Sequence, residues 1–558
     1  MSATAATGTG TGTGTPTTTR TSAGHGALTG TLALVGFNLR RDRVRLPVWV
    51  LALFLGTLST ADEFKTLYAA PEDRAAVLGT MDSPAGLAMT GPRHYLDDYT
   101  FGSMLGHQML GFLAVLVGLM SVLAVTRHTR EEEETGRAEL VRATVVGRHA
   151  HLAAALWVAV VANLSLAALL AVGLGAMDLA PGGTTGSLLY GLAHAAVGLV
   201  FAGVAAVTTQ ITAHTRGASG MALAAVGLAY ALRAAGDAGG DDALSWLSPI
   251  GWVQRTYPYV DNRWWPLLLC AALAALLAGA GFVLSARRDV GAGLRAARPG
   301  RPTASGALLR PLGFALRLHR SVLAGFGAGL FLMGAMYGSI LGEADDMLKN
   351  IDQIQEALRR IGGASPAESF ASMIMVILAV VASVHVVTAA LRPRAEENSG
   401  RAEPLLATGL SRVRWAGSHL VVALAGGTAL LLLAGLGIGL AGAASAGDSG
   451  LVLSLTGAAL AYAPALWVTA GVAAVLFGWL PRAAQAAWAV PAYAFVTGYL
   501  GQLLRFPDWM NGLSPFGHVP QLPAAPMDWT PMAVLTLVAA ALVLLGLEGF
   551  RRRDLQTK

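Results

Sequence analysis

Long apolar stretches alternate with short charged or Gly/Pro-containing segments along all 558 residues. The runs at 104–125, 152–174, 188–207, 267–284, 374–391 and 420–444 suit a bilayer core that takes about 20 helical residues to cross. Extended along the chain, the pattern predicts twelve spans. In the first half they fall near 46–61, 101–126, 151–177, 187–213, 218–235 and 264–285. In the second they fall near 321–341, 370–391, 415–442, 451–478, 483–504 and 530–549. Two long connections, 62–100 and 343–369, carry helix-like charge patterns such as DDMLKNIDQIQEALRRI at 345–361 and read as small amphipathic caps.

Composition agrees with the pattern: 54% of residues are hydrophobic and only 13% charged, outside the range of soluble domains. A net charge of +6 raises the question of nucleic acid, but the arginines gather between spans with little aromatic interleaving, which is a topology signal. With both termini cytoplasmic, the inner segments hold 29 of the 39 Lys and Arg residues, so the positive-inside rule selects that orientation. The single cysteine, Cys270, lies in an apolar run and reads as a small core residue, with no intrachain disulfide possible. Residues 1–26 are Thr/Gly/Ala-rich, lack the apolar centre of a signal peptide, and read as a disordered cytoplasmic tail. Residues 28–45 place Leu32, Leu34, Val35, Phe37 and Leu39 ahead of Arg40, Arg41, Arg43 and Arg45, which suits an amphipathic helix in the inner interface.

One segment breaks the economy of charge. Residues 129–151 read TREEEETGRAELVRATVVGRHAH, and residues 394–414 read RAEENSGRAEPLLATGLSRVR. A shift of 264 superimposes Arg130, Glu132, Glu133, Gly136, Arg137, Ala138, Glu139, Ala143, Thr144 and Arg148 on identical residues of the second copy. AGVAAV recurs at 202–207 and 470–475, LSPIGWV at 247–253 pairs with LSPFGHV at 513–519, and Arg288-Asp289 pairs with Arg553-Asp554. A duplication of about 265 residues explains all of these matches. It divides the chain into a first six-span half at 27–290, a cytoplasmic linker at 291–312 and a second six-span half at 313–558. The fold expected is all-α integral membrane, with twelve transmembrane helices as two parallel six-helix repeats about a pseudo-two-fold axis along the membrane normal.

The duplicated segment has a local logic. Span two should continue as a charged helix through Glu134 and break at Gly136, where a left-handed residue ends a helix without steric cost. A short helix then opens with Glu139 near its positive end and shows Leu140, Val141 and Val145 to one side. In the second copy Pro404 follows Glu403, a position that a first helical turn tolerates. One short amphipathic helix per half, flanked by charge, suits docking to a soluble partner.

On these residues the chain resembles the permeases of ABC exporters of the second, six-span class, which carry E-x-x-x-G-x-x-E-x-L-L-A-T before span three. The pattern here runs from Glu132 to Glu139 with Val141, Ala143 and Thr144, and from Glu396 to Glu403 with Leu405, Leu406, Ala407 and Thr408. The fused layout and LSPIGWVQRTYPYVDNRWWPLLL at 247–269 are similar to the actinobacterial exporters of polyketide antibiotics. The resemblance implies that each short helix couples to an ATPase subunit, through Glu132, Glu133, Gly136, Arg137, Glu139, Val141 and Arg148 in the first half. In the second half the matching residues are Glu396, Glu397, Gly400, Arg401, Glu403, Leu405 and Arg412. It also implies a re-entrant element at each LSPxGxV copy, and a substrate path beside spans two and five. The candidate lining residues are Met104, His107, Met109, Phe112, Tyr230, Met373, Met375, Trp488, Tyr493 and Tyr499.

No phosphate-binding loop is available to the chain itself, since its three lysines, Lys65, Lys349 and Lys558, none follow a glycine. ATP and magnesium would therefore belong to two copies of a separate ATPase, and the chain would bind no cofactor or metal. The remaining partners expected are membrane lipid and a hydrophobic small molecule, with no nucleic acid. The reading is an ATP-driven exporter permease in the plasma membrane rather than an enzyme. The alternative is a proton-coupled 6+6 facilitator, which usually keeps carboxylates near mid-membrane; here Asp178 and Glu548 fall only at span ends. A lipid-modifying enzyme would need a nucleophile or metal constellation that the spans do not offer.

Overall fold

The computed structural model describes residues 26–180, 183–240, 242–289, 291–295, 302–339, 341–342, 366–500 and 508–555. The expected tail at 1–26, nearly all of it, the amphipathic segment at 345–361 and part of the linker lie outside them. Among the described residues the structure is helical, without a strand.

Among the described residues eleven helices are long and apolar enough to cross a membrane: Arg45–Leu67, Phe101–Glu134, Ala150–Gly175, Gly183–Ile211, Thr215–Gly239, Trp265–Ala286, Pro311–Gly338, Ala367–Asn398, Arg412–Ala446, Gly450–Trp479 and Trp529–Arg552. The span expected near 483–504 is not one of them. In its place a 3-10 segment, Pro481–Trp488, leads into the helix Ala489–Phe495 and a π turn, Val496–Leu500. Pro481 and Pro491 each withdraw an amide donor from the helical ladder, and 3-10 or π geometry takes up the mismatch. Residues 501–507 are outside the described set.

The described residues form two compact units. One comprises residues up to 59, 110–230 and 248–297; the other comprises 60–109, 231–247 and 298 onward. In the first, Ala150–Gly175 and Gly183–Ile211 pack closely through small residues: a Cβ on Gly191 would lie 2.5 Å from the Ala167 carbonyl oxygen. In the second, Gly450–Trp479 meets Trp529–Arg552 in the same way, with a Cβ on Gly478 falling 2.2 Å from the Gly546 oxygen. Lipid tails give apolar side chains little reason to desert them, so close backbone approach supplies the packing energy. The segment 62–100 builds two short helices, Pro71–Met81 and Pro84–Met89, and a 3-10 turn, Arg93–Asp97. Cys270 is buried with a free thiol.

Both LSPxGxV copies start short helical turns. Ser248 accepts the amides of Ile250 and Gly251 ahead of the helix Pro249–Gln254. Ser514 accepts that of Phe516 ahead of Pro515–His518. In each case a serine caps the turn and proline occupies its first position, where no amide is missed.

Candidate functional site

The charged segments build one construction twice. In the first half, Phe101–Thr126 continues through a π turn, Arg127–Glu131, into Glu132–Glu134. Gly136 then adopts φ 73° and opens the short helix Arg137–Arg142. In the second, Pro366–Ala390 is followed by Arg392–Asn398, then Gly400 at φ 73°, then Ala402–Leu406. Ser411 caps the next span, Arg412–Ala446, by accepting the Arg414 amide.

At the base of each short helix a carboxylate is gripped by two arginines. Glu133 accepts Arg288 at 2.6 and 2.8 Å and Arg130 at 2.8 Å. Glu397 accepts Arg553 at 2.7 Å on both oxygens and Arg394 at 3.3 Å. Each clasp thus joins the end of one long helix, Phe101–Glu134 or Ala367–Asn398, to an arginine just beyond another, Trp265–Ala286 or Trp529–Arg552. Bidentate Arg–carboxylate geometry is the strongest form of such a contact. Arg130 is additionally held by the Thr209 carbonyl at 2.9 Å, and Arg288 by Gln210 at 2.6 Å. The paired residues sit at the offset of the sequence repeat.

The neighbouring glutamates differ between the halves. Glu132 pairs with Arg41 of the N-terminal helix Thr31–Arg41. Glu396 pairs with Arg392 and Arg401 of its own segment, at 2.7 and 2.6 Å. Beside Glu132, Asp42 is buried and contacts Arg127 and His128, each at 2.6 Å. Burial alone would raise the Asp42 carboxyl, but the His128 hydrogen bond and the charges of His128, Arg127 and Arg41 together hold it below the usual range.

The four glutamates therefore face inward, and other residues face solvent. Glu139, Leu140, Ala143, Thr144 and Val145 are exposed in the first half, Leu140 by 76% and Val145 by 65%. Val141 instead packs on Leu34, Ala150 and Ala154, because it stands about 100° around the helix from Leu140. Arg137 and Arg148 are exposed. In the second half Gly400, Arg401, Glu403, Pro404, Ala407 and Thr408 are exposed, Leu405 is half-buried, and Arg412 donates to the Arg553 carbonyl.

Each candidate lining residue has its own setting among the described residues. Met104, His107 and Met375 are buried, and Met373 packs against the same core cluster as Met375. Phe112 and Trp488 are exposed, Met109 and Tyr230 are half-buried, and the Tyr493 hydroxyl donates to the Met510 carbonyl at 2.8 Å. Tyr499 lies on the π turn, its side chain outside the described set. A groove of about 630 Å³ runs along Leu424, Ala425, Thr428, Ala429, Leu432, Leu460 and Trp467.

His107 sits in a buried network whose proton positions can be deduced. The Thr90 hydroxyl donates to Gly86 at 2.7 Å, so at 3.0 Å it accepts from His107 Nε2. His107 Nδ1 then accepts from the Tyr99 hydroxyl at 3.1 Å, and Tyr99 accepts from Gln108 at 3.0 Å. Sequence reasoning missed Arg233 and Asp237, a pair 3.7 Å apart with neither side chain exposed. Ser245 donates to Asp237 at 2.8 Å. The signal was their i,i+4 spacing, obscured because the apolar run seemed to end at 235.

Against this geometry, comparison with known proteins is informative. The family model described as the C-terminal domain of the multidrug efflux system permease Rv1217c matches residues 31–284 and 308–551. The multidrug efflux system permease protein Rv1217c of Mycobacterium tuberculosis (strain ATCC 25618 / H37Rv) is 41% identical over 545 residues, covering 96% of this chain and 98% of that protein. The chain belongs to this family of multidrug efflux permeases. This permease is thus a multi-pass membrane transport protein, in keeping with the exporter-permease resemblance carried by its duplicated motif.

Proposed function

We propose that this permease is the membrane subunit of an ATP-driven ABC exporter. It would reside in the plasma membrane with both termini cytoplasmic, its twelve spans forming two parallel six-helix halves about a pseudo-two-fold axis along the membrane normal. Two copies of a separate ATPase would bind ATP and magnesium, and a hydrophobic compound of polyketide-antibiotic or drug-like character would be the cargo. The relative's description as a multidrug efflux permease supports the efflux role.

The observation that carries this reading is the pair of exposed helix tips, each seated on an equivalent clasp. A tip anchored this way cannot move alone: displacing it carries the end of span two and the end of the half's last span with it. Closure of the ATPase pair would therefore deliver its stroke to spans rather than to a yielding loop. On this reading the apolar contact falls to Leu140 and Val145, the second tip contributes Glu403, Pro404, Ala407 and Thr408, and the four buried glutamates position the tips.

The test is affinity purification of wild type beside an L140E/V145E/E403R variant, followed by reconstitution with the co-purified ATPase. Wild type should bring down an ATPase bearing a phosphate-binding loop, and export of a hydrophobic dye should require ATP. The variant should lose about tenfold or more of both binding and export, as expected for apolar anchors at an interface, with an unchanged melting temperature. Export that persists without ATP and collapses with a protonophore would overturn the reading in favour of a proton-coupled facilitator.

A further inference from the structure

The N-terminal helix is fastened to the ends of three helices long and apolar enough to cross a membrane. Leu34 packs on Ala150 and Ala154 at the start of one span. Arg41 pairs with Glu132 at the end of another, and Asp42 with Arg127 and His128. The third, Arg45–Leu67, begins three residues after Asp42. Two backbone bonds fix the helix's leading turn to the connection beyond the first tip: Gly147 donates to Thr29 at 2.9 Å and His149 to Ala27 at 3.0 Å. The helix is therefore held against the ends of helices long and apolar enough to cross a membrane.

Its outward side has a definite chemistry. Leu32 (82%) and Phe37 (54%) are exposed along the helix and Val44 (65%) just beyond it. Arg40, Arg43 and Arg45 are exposed at the same end, with no ion pair among the described residues. The inward arginine, Arg41, is spent on Glu132. Exposed apolar side chains on a helix that ends in three solvent-facing guanidinium groups match a surface of acyl chains and phosphates, and arginine suits phosphate through its planar fork.

We propose that this helix is a binding site for anionic phospholipid headgroups, held by Arg40, Arg43 and Arg45 with Leu32 and Phe37 sunk among the adjoining chains. The Arg41–Glu132 and Asp42–His128 contacts make lipid occupancy a condition on how firmly the first tip is presented. Among the described residues the second tip shows no such attachment, Glu396 being paired with Arg392 and Arg401 of its own segment. This link to the tip rests on the function proposed above; the lipid site does not.

Full-length protein in mixed micelles with equal phosphatidylglycerol and phosphatidylcholine, read by native mass spectrometry, tests the site. Wild type should retain phosphatidylglycerol preferentially. R40Q/R43Q/R45Q should lose that preference, each arginine being worth about fivefold near an anionic surface, whereas R551Q/R552Q, at another exposed basic pair, should keep it. An unchanged preference in the triple variant, or an equal loss in the control, overturns the proposal. Salt gives a measurement on wild type alone, should the triple variant not purify: retention of phosphatidylglycerol should fall as screening rises, and indifference to salt also overturns it. The link is read separately. R41Q/E132Q should keep the lipid preference but lose the anionic-lipid dependence of ATPase stimulation, and a retained dependence removes the link while leaving the site.

Discussion

Replacing Glu397 by glutamine removes the charge at the centre of the second clasp while preserving its shape. The side chain is 1% exposed, and Arg553 and Arg394 are 13% and 14% exposed. Deleting one partner of a buried pair costs about 3–5 kcal/mol, because the remaining charge is left without compensation. The slight exposure of both arginines returns some hydration, so the lower end, about 3 kcal/mol, applies. For a cooperative unit of 150–250 residues, each kcal/mol moves the melting temperature by about 2–4 °C, which gives a fall of roughly 6–12 °C. R553Q should fall similarly. E397Q/R553Q should melt within a few degrees of the worse single variant rather than at the sum of both, because the two residues share one interaction. The assay is fluorescence-detected size exclusion after heating in detergent, at one fixed scan rate because unfolding is irreversible. Additive losses, or a single variant within about 1 °C of wild type, would refute the argument. The first clasp offers an independent repetition through E133Q and R288Q.

Two further outcomes follow from particular contacts. Asp42 is held below its ordinary pKa by His128, Arg127 and Arg41, so its contribution is fully present above the unfolded carboxylate value and is lost as pH falls through the folded one. Melting curves at stepped pH should show D42N less stable than wild type at neutrality, with the gap closing below about pH 4; a gap constant with pH contradicts the assignment. G478A would push a methyl group to 2.2 Å from the Gly546 oxygen and should cost about 1–3 kcal/mol by overpacking. G457A, with nothing within 4 Å, should be neutral or slightly stabilising by thermal ramp.

Much of the architecture was legible because bilayer crossing imposes a length and a composition on each span. The tips were legible too: Gly136 and Gly400 break their helices at positive φ as the repeat suggested. What escaped was direction. Glu132, Glu133, Glu396 and Glu397 read as docking charges, yet each faces arginine inside the protein. Both members of the Glu133–Arg288 pair stood in matched segments of the repeat, but 155 residues separate them, and no local period reports a contact across that distance. Arg233 and Asp237 escaped for the opposite reason: a self-neutralising pair lets a helix stay buried past the point where hydropathy alone would end it. Of the span expected near 483–504, the described part runs through 3-10, α and π geometry around Pro491, and residues 501–504 lie outside the described set.

The clasps also set a schedule for synthesis. Arg288 closes on a carboxylate made 155 residues earlier, and Arg553 on one made 156 residues earlier. At about 5–20 residues per second, each carboxylate waits on the order of ten to thirty seconds for its partner. During that interval the intervening helices must enter the bilayer around an open charge. Each clasp can close only once the helix ahead of its arginine, Trp265–Ala286 or Trp529–Arg552, has been made. Chains released before Arg553 would present one closed clasp and one open one, a state that cellular quality control could distinguish from the finished permease.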